Sequence, residues 1–482
     1  MLFNSIHFAF FLPVVFLLYW FIAKGSVKSQ NILLLLASYF FYACWDWRFL
    51  FLLIFSTSLD YYTGIKIFDA TNSKQRKWWL WISVGANLGF LGVFKYYNFF
   101  AESFAQALLM VGLKANLGSL NIILPVGISF YTFHGLSYVI DLYKNKIKPE
   151  RDVITYSVFV SFFPLLVAGP IERATHLLPQ LIKKRAFHYA KAVDGLKQIL
   201  WGLFKKMVIA DNCATYANTI FGNPSEHSGS TLLLGAVFFA FQIYGDFSGY
   251  SDIALGAARL FGIDLLRNFA YPYFSRDIAE FWRRWHISLS SWFKDYLYIP
   301  LGGSHGSKWM AVRNTFIIFL FSGFWHGANW TFILWGAVHA LYFMPLLLSG
   351  KNRTNIEIVA SNSLLPNLKE MGQMVVTFIL VSLAWIIFRS ESITQTWVYF
   401  SRMCAADLFS IPYFLGIKQA AITIVFIVFM LLIEWIGRQQ QYGIQSIATQ
   451  WSKPFRWAFY YLITMLIFLF GAVNETFIYF QF

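Results

Sequence analysis

The chain has 482 residues, of which 58% are hydrophobic, 21% aromatic and only 13% charged, with a mean hydropathy of +0.55. Soluble domains run near 45–50% apolar and about 25% charged, so an ordinary soluble fold is excluded and an all-α integral membrane bundle is expected. The net charge of +15 is carried between apolar runs, which is the pattern of short cytoplasmic loops in contact with membrane lipids, not of a nucleic-acid surface. The three cysteines, Cys44, Cys213 and Cys404, show no CxxC spacing, so neither a disulfide framework nor a metal site is expected.

A crossing needs about 20 apolar residues. In chain order the apolar runs predict spans near 4–23, 30–45, 49–65, 78–95, 120–142, 154–170, 195–212 and 231–247, then 315–348 (long enough for two pieces), 373–389, 416–436 and 457–478. The run 97–113 is either a further span or an interfacial helix. The first run, Met1 to Phe21, has no basic n-region and no cleavage site, so it reads as a retained helix. The whole chain, 1–482, is expected to form one polytopic domain of about 11–12 transmembrane helices. Basic clusters stand at Lys66–Lys77, Lys144–Arg151, Lys183–Lys191 and Arg438–Arg456. Taking the first and last as cytoplasmic places both termini outside. The second and third are separated by one predicted span only, so they share a side only if 154–170 is re-entrant.

Residues 267–313 break the pattern. They are too polar to span and too aromatic for a plain loop, and they read as amphipathic or re-entrant helices at the cytoplasmic interface, with Trp and Tyr at headgroup level and Arg outward.

Ionisable groups at membrane depth are costly and therefore candidates for function. His326 lies about 17 Å into the run that begins near Thr315, close to the midplane. Gly323 and Gly327 flank it and permit close approach, and a neutral imidazole can take a proton from a hydroxyl near pH 7. His339 is thirteen residues further on, about 20 Å and about 220° away in one continuous helix. The two histidines could serve one reacting atom only if the helix breaks, and Gly327–Asn329 is where it could. The segment FQIYGDFSGYSD puts Tyr244, Asp246, Ser248 and Asp252 at the end of an apolar run, as a polar path or as helix caps. Arg283, Arg284 and His286 could meet a phosphate-bearing donor or snorkel to the headgroups. Asn329, Ser322 and Tyr244 are the expected oxyanion donors. No GxxxxGK, GxGxxG or HExxH is present, and GGSHG at Gly302 to Gly306 reads as a turn.

The blocks LPVGISFYTFHGLSYVIDLYK, FFPLLVAGPIER, GLFKKMVIADN, YGDFSGYSDIALG, RNFAYPYFSRDIAEFWRRWHISLSSWFKDYLYIPLGG and SGFWHGANWTFILWGAVHA resemble the bacterial membrane-bound O-acyltransferase (MBOAT) superfamily, in its alginate O-acetyltransferase-like branch. The resemblance covers most of the chain. It implies an MBOAT-type bundle, with His326, beside Trp325 in the WHG motif, as the essential histidine and His339 as a second recurrent one. It also implies a donor such as acetyl-CoA on the cytoplasmic side and no bound cofactor. Delivery would run to a glycan acceptor through a periplasmic SGNH-type acetyltransferase, from the bacterial inner membrane. A lipid acceptor, or a transporter with a histidine proton relay, remains the alternative at this point.

Overall fold

The computed structural model describes residues 1–115, 118–120, 123–167, 169–447, 449, 451–472 and 477–478. Residues 121–122, 168 and 473–476, inside the predicted spans 120–142, 154–170 and 457–478, lie outside that description. The described residues are helical and irregular, with no strand among them. This is what a bilayer selects, because a helix satisfies its backbone groups within one segment. The chain divides into two compact units, Met1–Gly195 with Ala257–Leu266, and Leu196–Gly256 with Arg267–Phe482.

The first unit contains α1 (Ile6–Leu17), α2 (Val27–Ala43), α3 (Trp47–Asp69), α4 (Ser73–Leu91), α5 (Tyr97–Met110), α6 (Ile128–Tyr143), α7 (Val153–Ser161) and α8 (Ala174–Ile182). Asp46, Asn72 and Asp152 cap α3, α4 and α7 by accepting backbone N–H groups of the first turn. Inside the bundle, Asp60 accepts from Ser83 Oγ at 2.6 Å and from Asn87 Nδ2 at 2.8 Å, so buried polar groups satisfy one another.

The expected span 154–170 is corrected. α7 and α8 have nine residues each, about 14 Å of rise, half of what a crossing needs. The irregular stretch between them buries Phe162, Phe163, Leu165, Leu166, Ile171 and Glu172, as non-helical backbone at membrane depth must. The Glu172 N–H donates to His134 Nε2 at 3.1 Å, and the Glu172 carboxylate holds His176 Nδ1 at 2.7 Å and the Leu266 N–H at 2.6 Å. Among the described residues no helix of crossing length separates the second and third basic loops, so they need not lie on opposite sides.

The second unit is built from α9 (Tyr189–Leu203), α10 (Asp211–Gly222), α11 (Gly229–Leu260), α12 (Ile278–Arg284), α13 (Ile287–Phe293), α14 (Lys308–His326), α15 (Trp330–Leu348), α16 (Leu368–Arg389), α17 (Ile393–Met403), α18 (Ile417–Ile436) and α19 (Lys453–Phe470). The first residues of α9 and the last turn of α11 belong to the first unit. A π-helical stretch, Phe204–Ala210, joins α9 to α10. Among the described residues, five helical stretches are at least eighteen residues long and apolar enough to cross: Ile6–Gly25, α11, α15, α16 and α18.

For 267–313, expected as amphipathic or re-entrant helices with Arg outward, the outward direction is corrected for Arg284. α12 and α13 have only seven residues each and are largely buried. Arg284 turns inward because the fold supplies a partner, while Arg283 stays exposed, its guanidinium on the Asn352 and Asn355 carbonyls. Arg284 pairs with Glu280 at 2.7 Å, and Arg276 pairs with Glu280 at 3.0 Å and Glu370 at 3.2 Å. Gly302, Gly303 and Gly306 adopt left-handed backbone in the turn that follows.

Candidate active site

His326 is the last residue of α14. Gly327 is extended, and Asn329 begins α15 as its N-cap, accepting the Thr331 N–H at 3.0 Å. The helix therefore breaks where the glycine and asparagine permit, and the chain folds back as an antiparallel hairpin. Small residues set its spacing. A Cβ on Gly323 would overlap the Phe332 carbonyl oxygen, and one on Gly336 the Phe319 carbonyl oxygen. The close approach that flanking glycines allow is used by α15 itself.

The hairpin brings His326 and His339 to one indole. Trp335 packs edge-on to His326 at 5.3 Å and to His339 at 4.8 Å between ring centroids. His326 is 7% exposed and also meets the Phe388 ring of α16 at 5.4 Å. His339 is fully buried, its Nδ1 accepting from Trp282 Nε1 at 3.2 Å. The rings of Phe281 and Phe319 lie nearly parallel to it.

The nearer charge partner of His326 is His286. This residue joins α12 to α13 in a left-handed conformation (φ 45°, ψ 54°) that side chains other than glycine seldom adopt. Such strain clusters at functional sites. Two backbone bonds pin the segment: the Ala270 N–H donates to Arg284 O and the Ile287 N–H to Asn268 O, both at 2.9 Å. His286 Nδ1 bonds to Asn268 Oδ1 at 3.0 Å, and Phe247 packs edge-on to its ring at 4.6 Å. Burial pushes the His286 imidazole well below its ordinary range, and the charge of His326 adds to the effect, so His286 is neutral at pH 7.

The other expected site residues divide. Trp325 is buried beside His326, 6.2 Å from the Phe321 ring. Ser322 is buried one turn before His326 on α14. Asn329 spends both ends of its amide, capping α15 and donating to Glu391 O at 2.8 Å. Tyr244 donates to Glu434 at 2.7 Å, which leaves its hydroxyl hydrogen committed. Arg283 donates to the carbonyls of Asn352 and Asn355, and Arg284 to Glu280. These bonds brace the loop that carries both guanidinium groups.

Asp246, Ser248 and Asp252 belong to a buried ionic network that sequence reasoning missed. Lys206 pairs with Asp211 at 2.7 Å and Asp246 at 2.8 Å. Lys205 pairs with Asp252 at 2.6 Å and donates to Ser248 Oγ at 2.9 Å. Adjacent lysines in an apolar run, GLFKKMVIADN, were the available signal. The π-helix that carries them is itself a common mark of functional segments.

Fold and site together define a helical membrane enzyme whose buried histidine sits at a helix break. Residues 150–384 match the membrane-bound O-acyltransferase family. The probable alginate O-acetylase AlgI of Pseudomonas aeruginosa is 39% identical over 84% of this chain and 75% of its own. The peptidoglycan O-acetyltransferase of Helicobacter pylori is 33% identical over 100% of this chain and 98% of its own. The teichoic acid D-alanyltransferase of Bacillus subtilis is 30% identical over 46% of this chain and 58% of its own. This chain belongs to the membrane-bound O-acyltransferase family and is an acyltransferase.

Proposed function

We propose that the protein moves an acetyl group from a cytoplasmic thioester, acetyl-CoA, to a hydroxyl acceptor, for O-acetylation of an extracytoplasmic glycan. The reaction is balanced as follows. His326 takes the proton of the acceptor hydroxyl while its oxygen attacks the thioester carbonyl. The tetrahedral intermediate collapses, the C–S bond breaks, and the thiolate leaves with the proton from the imidazolium. His286 stays neutral close to His326, so it adds no competing positive charge when His326 takes the proton. His339 acts through Trp335, against which both histidines pack.

The observation that carries this reading is the buried His326 at the α14–α15 break, with a second neutral imidazole within reach of its charge. The relatives named for alginate, peptidoglycan and teichoic acid support a polymer at the cell envelope as the final acceptor. The acetyl group would pass to it through a separate periplasmic SGNH-type acetyltransferase, from the bacterial inner membrane. In the test, purified protein in lipid is given acetyl-labelled acetyl-CoA. Release of free CoA is expected from the wild type, and His326→Ala is expected to lose at least about 100-fold in rate while inserting and folding normally. A well-folded, active His326→Ala variant refutes the assignment. Binding of the labelled donor with no CoA release favours a transporter instead.

A further inference from the structure

Behind His286 lies a small polar cavity of about 10 Å³, room for about one water molecule. Three buried donors on its lining residues have no hydrogen-bond partner among the described residues, Trp201 Nε1, Asn268 Nδ2 and Arg267 Nη2, and a buried acceptor, Glu434 Oε1, has no hydrogen bond there and only the Lys205 ammonium at 3.9 Å. Trp201 is 0% exposed, and Asn268 and Glu434 are 1% exposed. A donor orphaned at such depth is costly, and three of them beside an acceptor without a hydrogen bond, around one cavity, point to a ligand. Three are donors and one is an acceptor. Water both accepts and donates, and the cavity has space for little more.

The orientation of Asn268 is not arbitrary. Its Oδ1 accepts from Ser288 N at 3.3 Å and Ser288 Oγ at 2.9 Å, and it bonds to His286 Nδ1 at 3.0 Å. The backbone N–H can only donate, so the oxygen must face it, and the NH₂ group is left to the cavity side.

We infer that the cavity holds one ordered water that accepts from Asn268 Nδ2 and donates to Glu434 Oε1, and that this water makes Asn268 a positioning residue for the acyl transfer. Asn268, held from behind, accepts the Nδ1 proton of His286 and fixes the tautomer whose Nε2 lone pair is unprotonated. The inference rests on the acyltransferase reading for its functional half only. The charged and titratable groups around His286 are His326, at the end of α14, and across the cavity Lys205, Asp252, Arg267 and Glu434.

Two experiments test it. A density map of the wild-type protein in lipid, at a resolution that shows ordered water, is expected to place one water bonded to Asn268 Nδ2 and Glu434 Oε1. A closed cavity, or one without density, overturns the site. In the second, Asn268→Ala is expected to lower kcat about tenfold or more with the acetyl-CoA KM held within about twofold. Asn268→Asp keeps the acceptor oxygen but adds negative charge beside His286. It is expected to move the acid limb of the pH–rate profile toward alkaline pH by about one unit or more. Equal, pH-independent losses in both variants, tracking lost thermal stability, overturn the positioning role. A wild type that transfers no acetyl group sinks the acyltransferase reading instead, and the map alone then decides the water.

Discussion

The α14–α15 hairpin and the segment 267–298 both bring histidines to the site, and they are built by opposite means. The hairpin is held by apolar faces and close glycine contacts, with few polar groups, among them Asn329, which caps the helix it begins. The segment 267–298 is held by charges. Glu280 alone holds both Arg276 and Arg284, and a strained His286 joins two short helices too small to be stable alone. Packing sets the helix spacing in the hairpin, whereas hydrogen bonds to Asn268 hold His286 in its left-handed turn. The price of that second design is that its parts fail together.

That contrast can be broken from either side. The largest effect is expected for Glu280→Gln, which leaves two guanidinium groups short of a buried carboxylate. It should cost about 3–5 kcal/mol, read as a large drop in melting temperature or loss of folded protein from the membrane. Near-normal stability there would mean that the segment is not charge-held. On the hairpin, Gly336→Ala drives a methyl into the Phe319 carbonyl and should cost about 1–3 kcal/mol, by pushing α14 and α15 apart. A variant of wild-type stability and rate would show that the hairpin spacing is slack. Asn329→Ala removes the cap of α15 and its tie to Glu391. A loss of about 1 kcal/mol is expected, with His326 still active at a reduced rate. Abolished activity at full stability would instead make Asn329 a direct participant in the chemistry.

The smallest effect concerns the first unit. Hydrogen bonding to Glu172 raises the His176 imidazole above its ordinary range. The stabilisation is therefore complete below the unfolded value, about 6.5, and is lost as pH rises through the raised folded value. Thermal stability should fall slightly over that window in the wild type and not in His176→Gln. An identical slope in both proteins would mean that the pair adds nothing.

The sequence alone determined the class of this protein and the part of the site that is local. Apolar runs a bilayer long define helices whatever their neighbours, and the pattern around His326 and Gly327–Asn329 marks a break that backbone chemistry enforces within a few residues. The WHG and FWRRWHISLSSW blocks also made the family legible. What the tertiary structure decided was every pairing across long separations. Lys205 and Asp252 lie 47 residues apart in the chain and meet at 2.6 Å. Glu434 finds Tyr244 at a separation of 190 residues. Arg276 and Arg284 read as outward-facing because the sequence does not show Glu280 and Glu370 converging on them. A charge is buried or exposed according to whether a partner is delivered to it, and the partner comes with the fold.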